Sequence, residues 1–210
     1  IQALVFHGGT VATLACTAFS LFSSGAAFLV HISSFHPGYS LNFKQPLYMS
    51  YTVPAGTRIG HIHLKVSDIE KALGFYQGLL GFTVMQRFGD SAAFISAGGY
   101  HHHIGLNTWH SKGKGPAPIH APGLYHTAIL YETRKELAAI FKRLVNANYP
   151  LTGFADHGVS EAIYLDDPDG NGVELYWDKP KEQWPLLADG NLEMFTHHLD
   201  TNNLLAELDK

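Results

Sequence analysis

In the stretch DDPDGNGVELYWD, residues 166–178, a carboxylate stands where it needs a partner. A Gly/Asn/Asp turn feeds a strand in which Val173, Leu175 and Trp177 alternate with Glu174 and Tyr176. Glu174 therefore projects from the middle of a strand otherwise built of β-branched, aliphatic and aromatic residues. An unpaired carboxylate in such a place is costly to desolvate or is forced to protonate. Histidines occupy matching places in two earlier strand-like stretches, His61 and His63 in GHIHLKV and His126 in YHTAILY. Two of these imidazoles together with Glu174 would make a site for a divalent metal. His61 and His63 share strand parity, so spacing leaves both open.

Composition narrows the chemistry. The 210 residues are 46% hydrophobic with a net charge of -4, enough chain for a sizeable core and no basic surplus with which to neutralise phosphates, so nucleic acid is not an expected partner. Fourteen histidines against the single Cys16 exclude a disulfide framework and a cysteine-based zinc site. Imidazole and carboxylate remain as ligands. DPDGNG also imitates the start of an EF-hand loop, with Asp167, Asp169, Asn171 and Gly172 in register and Asp178 in the last position. Pro168 and flanking strands in place of helices argue instead for a hairpin turn.

The elements that must position these groups form two similar units. The first, 58–110, reads as a strand over 59–66, a helix opened by a capping-box pair Ser67 and Glu70, and strands near 82–88, 92–97 and 101–109. Its helix carries Ile69, Ala72, Leu73, Tyr76, Leu79 and Leu80 in one apolar stripe and stops at Gly81. A Gly/Pro/Lys loop over 111–123 follows. The second unit, 124–178, repeats the order: a strand over 124–131, a helix opened by Thr133 and Glu136 with Leu137, Ile140, Phe141 and Leu144 inward, then strands near 151, 160–165 and 173–177. His126 follows His61 by 65 positions, an internal duplication. The expected fold class is α+β: two tandem βαβββ modules pairing into a half-barrel whose cleft receives inward side chains from both.

The flanks carry less. Residues 1–43 contain no Asp, Glu, Lys or Arg, and 11–30 are long enough for a membrane span, yet they are rich in Ser, Thr, Gly and Ala and lack a basic leader. An anchor or export signal, a packed N-terminal arm, and a segment foreign to the functional protein are the competing readings. The last is expected for 1–48, because Met49 followed by SYTVPAGTRIGHIHLKV looks like a natural start. The C-terminal extension, 179–210, begins Pro-rich, should pack Trp184 and Pro185 on the body, and ends in a short helix over 203–208 with no visible chemistry.

The pieces GHIHLKVSDIEKALGFYQGLLGF, GGYHHHIGLNTW, GLYHTAILY, DHGVSEAIYL and DPDGNGVELYW resemble the vicinal oxygen chelate superfamily of glyoxalases, bleomycin-resistance proteins and extradiol dioxygenases, and look most like its catechol 2,3-dioxygenase branch. The resemblance implies paired βαβββ modules with a metal in the cleft, held by His61, His126 and Glu174. It also implies His102 as acid/base, with Tyr164 and His157 orienting substrate. Strict alternation would separate His102 from His101, His103 and Gly105, so a bulge, or His103 in the working role, is the alternative. Gly105 falls where glyoxalase I has a fourth ligand, and a glycine side chain cannot ligate.

The implied activity is that of an iron(II)-dependent extradiol dioxygenase acting on a catechol-type aromatic with O2, in a cytoplasmic protein. Iron(II) is the expected metal, with manganese, nickel or zinc as alternatives. A glyoxalase-like isomerase or lyase and a ligand-sequestering resistance module without catalysis are the rival readings. A membrane partner is expected only if 11–30 is an anchor. Exposed sheet edges leave pairing into a homo-oligomer open.

Overall fold

Eight short strands form two separate four-stranded sheets. In the computed structural model, which describes residues 51–210, the first sheet has the order β1-β4-β3-β2 and the second β5-β8-β7-β6. The first comprises β1 (Ile62–Lys65), β2 (Thr83–Phe88), β3 (Ala92–Ser96) and β4 (Ile104–Asn107); the second comprises β5 (His126–Leu130), β6 (Gly153–Asp156), β7 (Ser160–Asp166) and β8 (Gly172–Asp178). In each sheet the opening strand runs parallel to the last and the other pairs are antiparallel. The α+β architecture of two βαβββ modules is thus present. The N-terminal apolar segment lies outside the described residues, and no helix among those described is long and apolar enough to cross a membrane.

The two helices start differently from one another. In the second module Thr133 caps α2 (Arg134–Asn146) in the reciprocal box with Glu136, as its sequence predicts. In the first module the cap of α1 (Ile69–Leu73) is Asp68, which accepts from the Lys71 N–H at 2.8 Å. Ser67 is drawn away from that role by a longer-range bond described below. Past Leu73 the backbone widens into a π-helical turn, Gly74–Leu79, and Leu80 N bonds Phe75 O at 2.9 Å. The wider turn directs Phe75 as well as Tyr76 inward, which a stripe drawn at α-helical spacing misses. Gly81, at φ 89°, ends the segment.

One face of each sheet packs on its helix, and a single core runs through both modules, from Leu64, Val66, Ile95 and Leu106 to Leu137, Phe141, Ile163 and Leu175. Polar bonds weld the modules as well. The β7–β8 turn, DPDGNG, lies against the first helix: Ser67 donates from its N–H (2.9 Å) and hydroxyl to Asp169, Lys71 Nζ donates to Pro168 O at 2.8 Å, and the buried Tyr76 hydroxyl donates to the buried Asp167 at 3.0 Å. Asp167 also accepts from the N–H groups of Asp169 and Asn171, so the carboxylates that imitate a calcium loop hold a hairpin together and clamp a helix. From the other side Arg143 of α2 donates to the carbonyls of Gly78 and Leu79 at 2.7 Å, closing the end of the π turn.

Candidate metal and substrate site

Four of the sequence-predicted residues form one chain of polar contacts in the second module. Glu174 leaves the face of β8 opposite Val173 and Leu175, and its Oε2 lies 3.0 Å from Nε2 of His126 at the start of β5. Its Oε1 accepts the Tyr164 hydroxyl at 2.7 Å, because Tyr164 stands directly opposite it in the β7–β8 register. That hydroxyl also lies 2.8 Å from His157 Nε2. Glu174 is mostly sheltered, its side chain 12% exposed, so the partners its burial demands are His126 and Tyr164. Burial first, and then the Glu174 carboxylate, push the Tyr164 phenol well above its ordinary value and keep it a proton donor.

The donor set and its spacing fit two ligands of a divalent ion. Imidazole nitrogen and carboxylate oxygen each bind such ions at about 2.0–2.2 Å, so adjacent ligands on one ion come about 3 Å apart, which is the His126–Glu174 separation. His126 Nδ1 is buried and has no partner among the described residues. His61 does not join this pair: its ring packs on His102, 4.4 Å between centroids, and no three His, Cys, Asp or Glu side chains among the described residues come within reach of one ion. It borders a cleft of about 380 Å³ between the facing edges of β1 and β5, with His103 and Ile104 on one side and Thr127 to Leu130 on the other.

The histidine run lies outside the regular strand, so alternation does not apply to it. β4 begins only at Ile104, and residues 101–103 form a bend before it. His102 turns toward His61 and Phe94, while His103 is tied back to β3, its Nδ1 accepting from Ala97 N at 3.3 Å and lying 3.0 Å from the Ser96 hydroxyl. Partial desolvation, then the imidazoles of His61, His101, His63 and His103, lower the His102 pKa from its ordinary value, which favours a neutral ring near pH 7. His63 lies over Gly105, where an added Cβ would sit 2.9 Å from its ring. Sequence reasoning missed the part taken by Phe195 and Thr196, whose carbonyl and hydroxyl approach His157 Nδ1 at 3.0 and 3.2 Å. No local pattern in the sequence marks them.

Residues 58–175 match the model of the Glyoxalase/Bleomycin resistance protein/Dioxygenase superfamily. The chain belongs to that superfamily. It is 38% identical over 156 residues to a catechol-2,3-dioxygenase of Bacillus subtilis (strain 168), a match covering 72% of this chain and 52% of that protein. To biphenyl-2,3-diol 1,2-dioxygenase 2 of Rhodococcus globerulus it is 29% identical over 124 residues, or 59% of this chain and 64% of the relative. The chain thus spans about half to two-thirds of the length of these relatives. In fold it is similar to the crystal structure of a glyoxalase/dioxygenase from Nostoc punctiforme, with a TM-score of 0.51 at 16% identity over 62% of this chain and 98% of the other.

Proposed function

We propose that the protein is a metal-dependent, extradiol dioxygenase-like enzyme acting on a catechol-type aromatic with O2. The observation that carries this reading is the paired His126 and Glu174, 3.0 Å apart and backed by Tyr164 and His157, together with Gly105 where a further carboxylate would otherwise project. The dioxygenase relatives support the choice of reaction. His126 and Glu174 would hold the metal, iron(II) by preference, and His61, which lines the β1–β5 cleft and stands apart from that pair in this structure, would have to move toward them to serve as the third ligand. Iron(II) held by histidine and carboxylate would supply a site for a chelating aromatic and a redox partner for O2.

The chain's own groups do the rest. Tyr164, kept protonated beside Glu174, would turn its hydroxyl hydrogen from that carboxylate to an oxygen of the bound aromatic. His102, neutral near pH 7, takes and returns a proton as the ring is opened, and His157 backs Tyr164. The test is anaerobic reconstitution with Fe(II), followed by catechols and O2, monitoring oxygen uptake and the yellow ring-opened product. Uptake that depends on both metal and catechol is the expected result. Protein that binds iron poorly and consumes no oxygen with any catechol would overturn the proposal and favour the isomerase or sequestering alternatives.

A further inference from the structure

The C-terminal extension reaches the site. Residues 193–197 run along the end of β6: Asp156 and His197 exchange both backbone bonds at 2.9 Å, and Phe195 N donates to His157 O at 3.3 Å. A carbonyl can only accept, so the 3.0 Å contact from His157 Nδ1 to Phe195 O requires the proton on Nδ1. The Thr196 hydroxyl, 3.2 Å from the same nitrogen, is a second partner. Independent of these bonds, the strap is seated on Gly158. This residue has φ 80°, and an added Cβ would lie 2.8 Å from the Phe195 ring and 2.9 Å from Pro185. Below the turn, Gly158 N and Lys179 Nζ both donate to Asp156 Oδ1, at 2.8 and 2.6 Å.

We infer that the strap of residues 193–197 is a positioning element that holds a proton on His157 Nδ1 and aims its Nε2 at the Tyr164 hydroxyl, with Phe195, Thr196 and Gly158 as the residues responsible. The consequence concerns one proton. Tyr164 gives its single hydroxyl hydrogen to Glu174 Oε1 at 2.7 Å, and its oxygen faces His157 Nε2 at 2.8 Å. With Nδ1 committed to the strap, any proton that His157 gains or gives up is held at Nε2, against Tyr164. A ring released from the strap could flip or change tautomer, and Tyr164 would lose its second partner.

The kinetic arm of the test rests on the dioxygenase reading; the spectroscopic arm does not. Long-range 1H–15N spectra of the histidine rings in the metal-free full chain should show His157 with Nδ1 protonated. Gly158→Ala, which crowds Phe195 and Pro185, should scramble that signature and leave divalent-ion affinity, measured with Mn(II), unchanged. Phe195→Ala gives a gentler displacement and provides the answer if Gly158→Ala does not fold. In reconstituted enzyme either variant should lower kcat about tenfold with KM little changed, the size expected when a supporting hydrogen bond is lost. A wild-type His157 found with Nδ1 unprotonated, or folded variants that keep the wild-type ring signature, would overturn the inference. Inactive enzyme with the expected spectra would sink the assigned reaction and leave the tautomer assignment standing.

Discussion

The two modules share a strand plan and differ at the positions that matter. His63 pairs with Gly105, and Gly105 with Phe94, in the first sheet; in the second the same register pairs Ala128 with Glu174 and Glu174 with Tyr164. Glutamate is thus replaced by glycine and tyrosine by phenylalanine, and a histidine ring fills the space that alanine leaves open beside Glu174. The hairpins differ too. In the first module pairing ends at Phe88 and Ala92 around a three-residue turn, whereas the second continues past Ala155–Ala162 to Asp156–Glu161 and carries His157 beyond it. One scaffold is used once for a charged, hydrogen-bonded chain and once for an aromatic cluster around His61, His63, Phe94 and His102. A duplicated module need not duplicate its chemistry.

Converting the second module toward the first should have the largest effect. Glu174→Gly removes the proposed ligand and leaves the Tyr164 hydroxyl without its carboxylate, so divalent-ion affinity by titration calorimetry should fall by more than the factor of about 10–100 typical of supporting residues. Tyr164→Phe, which reproduces Phe94, should stay within that range. Unchanged affinity in Glu174→Gly would show that the charged chain of this module is not where the ion sits.

The weld between modules comes next. Tyr76→Phe strips the buried Asp167 of a donor without altering volume, and a buried acceptor left short costs about 1–3 kcal/mol. At about 2–4 °C per kcal/mol for a domain of this size, thermal unfolding should shift down by several degrees. Ser67→Ala, which also contacts this turn but is less buried, should do less. If the two variants behave alike, the buried phenol is not the centre of the joint.

Much of this was legible in the sequence because alternation and duplication are local patterns. They put Glu174 on the face of β8 opposite Val173 and Leu175, set His126 at the start of the opening strand of the second module as His61 stands before that of the first, and read DPDGNG as a turn. What they missed was long-range. Ser67 looks like a helix cap until Asp169, 102 residues away, claims it, and the cap passes to Asp68. The π turn that buries Phe75 has no signature at α-helical spacing. The histidine run follows Gly98 and Gly99, both at positive φ, and the chain bends there before β4 forms, so strand parity could not say which way His102 points. Nothing near residue 157 announces Phe195, because an isolated bridge between segments 41 positions apart leaves no periodic trace.

Moving the first module toward the second should cost less. Gly105→Ala places a methyl 2.9 Å from the His63 ring, a crowding worth about 1–3 kcal/mol if the ring could not shift, and less here because His63 is exposed. His63→Ala restores the alanine found at 128 and should rescue Gly105→Ala. A coupling free energy of about 0.5 kcal/mol or more between the two sites in denaturant unfolding would show that the histidine excludes a side chain at 105. Strict additivity would mean that the two positions do not compete.

The smallest effect tests the longer hairpin of the second module, which has no counterpart in the first. Burial alone would raise the Asp156 carboxyl, but bonds from Lys179 and the Gly158 N–H outweigh it and hold the group below its ordinary 3.8. The folded protein therefore binds this proton more weakly than the unfolded chain. The stabilisation is complete above the ordinary value and is lost as pH falls through the folded one. Asp156→Asn should lower stability at neutral pH by less than about 1 kcal/mol, as for a partly solvated pair, and flatten the loss of stability as pH falls from about 5 through the lowered value of the folded state. Lys179→Met removes the cation and should flatten the same limb, while the Gly158 N–H still holds the carboxylate. A steeper acid limb in Lys179→Met than in the unaltered protein would mean that the carboxylate is stabilised by something other than these two donors.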